Sequence, residues 1–133
     1  MTDTSSSSNS ELEPLAENAI VYRALLRRQW IDEANNLVLP PAYLLRANEA
    51  GLSVTIAIVR PPEQCAAKFK NCYGVASIQV GQIRELGLDA VPDRASHAQI
   101  VGLPHVKDDR DRAERLADLL ADRSLIVWQP SQT

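Results

Sequence analysis

The sequence predicts a single small domain of the α+β or α/β class, with a mixed β-sheet, short helices and one amphipathic helix near the C-terminus. Three observations carry this. The run LSVTIAIV, residues 52–59, is rich in β-branched residues and is fenced by Gly51 and the Pro61-Pro62 pair, as a strand is. The run YGVASIQV, residues 73–80, alternates small or polar side chains with apolar ones, the period-two pattern of a half-buried strand. In DDRDRAERLADLLADR, residues 108–123, Ala113, Leu116, Ala117 and Leu120 fall on one helical stripe.

At 133 residues the chain is one domain's worth and long enough to bury a core without cross-links. Residues 1–10 are Ser-rich and without aromatics, a composition that predicts a disordered tail. The globular domain is expected over 11–129, with a short tail over 130–133. Ser10 and Glu13 have capping-box spacing. Residues 11–28 fit two patterns. Leu12, Leu15, Ala16, Ala19 and Ile20 form a helical stripe, whereas Ile20, Tyr22, Ala24 and Leu26 alternate as in a strand. The reading adopted is a short helix or turn before Asn18 and a strand over 19–25.

Asn35-Asn36 signals a turn, and Pro40-Pro41 an extended path. AYLLRANEA, 42–50, predicts a short helix closed by Gly51. A second short helix is expected from Pro62 to Lys70 and one or two helical turns over 81–86. LDAVPD, 88–93, reads as extended, and HAQIVGL, 97–103, as a strand stopped by Pro104. The main helix gains a cap from Asp108 or Asp109 and exposed pairs Arg110–Glu114 and Asp111–Arg115. SLIVW, 124–128, is the last strand. With HAQIVGL and the helix it makes a βαβ-sized unit, parallel if both strands share a sheet.

A net charge of −3 gives no broad basic excess, which counts against nucleic acid as a partner. Arg23, Arg27 and Arg28, with Trp30, form the one local basic and aromatic cluster. No secretory signal and no membrane-length apolar run is seen, so the cytoplasm is the expected location. Cys65 and Cys72 match no zinc spacing and predict free thiols. No metal site and no cofactor motif is predicted; the five glycines are scattered singly, which excludes a phosphate loop.

The order VYRALLRRQWI, PAY, GLSV, YGVASIQVGQIRELGLDAVPD and SHAQIVG resembles an uncharacterised family of short bacterial proteins, over about Val21 to Trp128. Its members show an aromatic-Arg pair with a nearby Trp, then a Ser-Ala-Phe-like patch, Leu-Ser-Val, a Gly-Val-Ala strand and a His-Ala patch. Two departures stand out: Pro41-Ala42-Tyr43 replaces Ser-Ala-Phe, and Ser96 replaces an alanine before His97. The resemblance implies the domain limits and points to Arg23, Ser53 and His97, but no activity. Tyr22-Arg23 and Leu52-Ser53-Val54 are also similar to the strands with which ADP-ribosyltransferases hold NAD.

Each candidate has a structural reading beside the chemical one. Arg23 suits a phosphate or carboxylate, or is a charged residue facing outward on an edge strand. His97 suits acid/base chemistry, or is a rim histidine bonded to a carbonyl or to Asp93. His105 reads as a loop residue. If a pocket exists, Arg23, Ser53 and His97 are expected near it. Without a catalytic motif, the reading adopted is an accessory module that binds a protein partner. The alternative is a small enzyme acting on a nucleotide or nucleic acid, with Arg23 on phosphate and His97 as acid/base.

Overall fold

The computed structural model describes residues 13–130. The Ser-rich segment, the Ser10 cap, Leu12 and the final three residues lie outside them. Eight strands and three helices are formed: β1 Ile20–Leu25, β2 Ile31–Asp32, β3 Leu37–Val38, β4 Leu52–Ile56, α1 Pro62–Ala67, β5 Gly74–Gln79, α2 Val80–Arg84, β6 Asp89–Arg94, β7 His97–Val101, α3 Arg110–Asp122 and β8 Leu125–Trp128. Two 3-10 turns, Arg28–Trp30 and Pro40–Tyr43, flank the small β2–β3 hairpin.

Six strands form one sheet in the order β6-β7-β4-β1-β5-β8. The fold is α+β. The sheet, expected to be mixed, is antiparallel at every pairing. The reason lies in the long connections. β7 and β8 do share the sheet and run in the same direction, but β4, β1 and β5 lie between them, so they never pair.

One sheet face carries the larger core. Val21, Leu25, Leu52, Val54, Ile56, Ala76, Ile78 and Ile100 pack there with Leu116, Ala117 and Leu120 of α3, Ile83 of α2, and Ala42 and Tyr43. Tyr43 is fully buried, and its hydroxyl donates to Ser124 Oγ at 2.6 Å, which in turn donates to the Leu120 carbonyl. The opposite face carries a smaller cluster of Ala24 and Val75 under Cys65 and Ala66 of α1.

The ambiguous start resolves as a strand: β1 is central, and of the helix or turn expected before it the turn is found, at Glu17–Asn18, after residues without regular structure. The helix expected over 42–50 is not formed. Pro40 and Pro41 open a 3-10 turn, and Leu44 is extended. Tyr43 and Leu45 are then buried at strand-like spacing, and the Glu49 carboxylate takes the Arg46 amide. Burial of the tyrosine prevails over helix propensity here. The Asn35-Asn36 turn does form, with Asn36 left-handed at φ 56° and Asp32 accepting from the Asn35 amide.

Candidate site at the splayed end of strands β1 and β4

Side chains alternate across a strand, so Arg23 shares the larger core face with Val21 and Leu25. The ladder between β1 and β4 stops at the Tyr22–Thr55 pair, although both strands continue. Arg23 fills the splay. Its Nε donates to the Ala42 carbonyl at 2.9 Å, and Nη1 donates to the Ser53 carbonyl at 3.0 Å. The guanidinium lies 5.4 Å from the centroid of the buried Trp30 ring. One arginine thereby joins β1, β4, the Pro40–Tyr43 turn and the Trp30 turn.

Burial pushes the Arg23 guanidinium below the usual arginine range, opposed by Tyr43 and Glu49 and reinforced by Arg46. It remains a cation. Among the described residues it makes no ion pair with a carboxylate. Carbonyl dipoles orient it, and among the described residues its charge is offset only in part, by the nearby Glu49 carboxylate. Among the described residues Nη2 makes no hydrogen bond.

The rim around this cation comes from two loops. Arg46 is exposed, and its turn is closed by the Glu49 carboxylate. His105 Nε2 donates to the Glu49 carbonyl at 2.7 Å, which places the ring's proton on Nε2 and leaves Nδ1 toward Asp108 at 3.9 Å. His105, read from sequence as a loop residue, thus holds the Glu49 segment in place. Its role had no signal in the sequence, because the contact spans two loops.

Arg23, Ser53 and His97 do not share a pocket. Thr55 pairs with Tyr22 on one side and with His97 on the other, so His97 lies on the face opposite Arg23. Ser53 offers Arg23 its backbone carbonyl, and its exposed side chain belongs to the His97 face. Nor does Arg23 face outward on an edge strand: β1 is central, and Arg23 points toward Trp30. His97 follows the structural reading, with Nδ1 2.6 Å from Asp93 Oδ1. The basic cluster is divided, since Arg28 stacks on Tyr73 at 5.4 Å while Arg23 stacks on Trp30.

Both cysteines are free thiols: Cys65 donates to Thr55 Oγ1, and Cys72 to the Gly74 carbonyl. Burial pushes the Cys72 thiol up, against the Gly74 and Leu25 backbone bonds. Among the described residues no group of three or more His, Cys, Asp or Glu is placed to hold a metal ion, and no helix is long and apolar enough to cross a membrane. Comparison with family models, curated proteins and solved structures finds no match to this chain.

Proposed function

We propose that this chain binds a phosphate-bearing small molecule at Arg23, and that the ligand class is a nucleotide. The observation that carries this is a mostly enclosed guanidinium, fixed by two carbonyls and a tryptophan, that has no carboxylate partner among the described residues. Removing a charge from water without a contacting counter-charge costs on the order of several kcal/mol. An oxyanion beside Nη2 would recover that cost, and the arginine fork matches phosphate geometry. Arg46 adds positive charge at the rim and would gain from the same anion. The nucleotide class is supported by the likeness of Tyr22-Arg23 and Leu52-Ser53-Val54 to NAD-holding strands, which here are neighbours in the sheet.

Calorimetric titration with inorganic phosphate, ATP and NAD tests the proposal. ATP or NAD is expected to bind, with phosphate a weak competitor. Arg46→Ala removes an exposed cation only. It is expected to weaken binding several-fold with an unchanged melting temperature, and Arg23→Lys to weaken it further. No binding of any of the three at millimolar concentration overturns the reading.

A second reading, docking of a protein partner, is favoured by Ile58. It is 94 % exposed at a turn tip, beside an apolar hollow of about 470 Å³ lined by Leu15, Ala19, Ile20 and Ile56. Under this reading, Ile58→Asp abolishes the association without changing stability, while Arg46→Ala leaves the association intact.

A further inference from the structure

The two edges of the main sheet differ in how they are protected. β6 carries Asp89, Pro92, Asp93 and Arg94, a proline and three charges that discourage a further strand. β8, Leu125–Trp128, holds no charge and no proline, and among the described residues it pairs on one side only, with β5. The neighbouring Arg123 is turned away to Glu85 and the Gln82 carbonyl. Its single irregularity is the register shift against Val75 and Ala76.

Exposed apolar side chains lie at this edge. Seven large ones stay exposed among the described residues, and two, Leu125 at 69 % and Val127 at 44 %, are in β8 itself. Leu37 lies in β3, which packs against β8, and Phe69 lies just past α1, which packs beside it. The four do not form one patch: β3 lies with the larger core and α1 on the opposite face, which leaves Leu125 and Val127 on the edge strand itself.

We propose that β8 pairs with β8 of a second copy of this chain, antiparallel across a two-fold axis, so that two sheets join into one. A neutral strand meets its own copy without like-charge repulsion, and an isologous contact needs only one self-complementary patch. Antiparallel pairing about the centre of β8 sets Leu125 of each copy opposite Trp128 of the other, an aliphatic–aromatic cross-strand pair formed twice. A four-residue edge strand buries less than each partner does in a standard stable interface, so the dimer is weak, in the micromolar range.

Sedimentation equilibrium through the micromolar range tests this. The wild-type chain is expected to shift from monomer to dimer as concentration rises. Leu125→Lys and Val127→Lys alter exposed side chains and are expected to raise the dissociation constant tenfold or more, with unchanged circular dichroism. Hydrogen exchange supplies an independent readout: β8 amides gain protection with concentration and β6 amides do not. A chain that stays monomeric overturns the proposal, whether the edge is then unused or reserved for another protein. So does a dimer that both lysine variants leave intact.

Discussion

Asp93 and His97 show how one contact sets a pH response. Burial acts to raise the Asp93 carboxyl, but the His97 hydrogen bond, the His97 charge and Arg94 outweigh it and hold it below the usual carboxylate range. Gln99 Nε2 adds a weaker bond to the other oxygen at 3.3 Å. A carboxyl whose folded value is depressed stabilises the protein above its unfolded value, near 3.9, and loses that contribution as pH falls through the folded value. Asp93→Asn is therefore expected to lower stability at pH 7 and to flatten the loss of stability on the acid limb. Urea titrations of both proteins between neutral and acidic pH check this. The histidine's partner was legible in part, as one of two alternatives, a backbone carbonyl or Asp93, of which the second is found. The inward turn of Arg23 was not. Its residue type pointed to an anion, but Trp30, Ala42 and Ser53 reach it from three segments, and no local pattern reports their convergence.

Elements were legible where a local pattern and the tertiary environment agree. β4, β5, β7 and α3 stand near where periodicity placed them, and Asp109 caps α3 by accepting from the Arg112 amide. They failed where the core took a side chain out of its local preference, as Tyr43 shows. Gly102 marks the end of β7 for a backbone reason: it is left-handed at φ +101°, and an added Cβ would meet Leu88 Cδ2 at 3.1 Å. Gly102→Ala is expected to cost about 1–2 kcal/mol from the backbone conformation alone. The check is the denaturant midpoint of the variant against wild type at constant slope. An unchanged midpoint would mean that the loop after β7 relaxes freely.

At the scale of the molecule, strand order was the part that sequence could not supply. The βαβ-sized spacing of β7, α3 and β8 gave parallel strands if both lie in one sheet, and they do run the same way, yet which strands meet is decided by contacts between distant segments. β1 ends in the middle of the sheet, covered on both edges by β4 and β5. Native-state hydrogen exchange is expected to follow that order. Amides of β1 and β5 open with the whole fold, while β6 and the two-residue strands of the β2–β3 hairpin exchange through local opening. Equal protection across β6 and β1 would contradict it.

The central place of β1 also governs how the chain is made. Val21 must find Ile56, and Leu25 must find Gly74, so β1 leaves the ribosome well before its partners do. Contacts so distant along the chain make folding slow, and until they close an apolar ribbon stands uncovered. Nascent chains stalled before β5 should therefore engage chaperones that release the completed polypeptide.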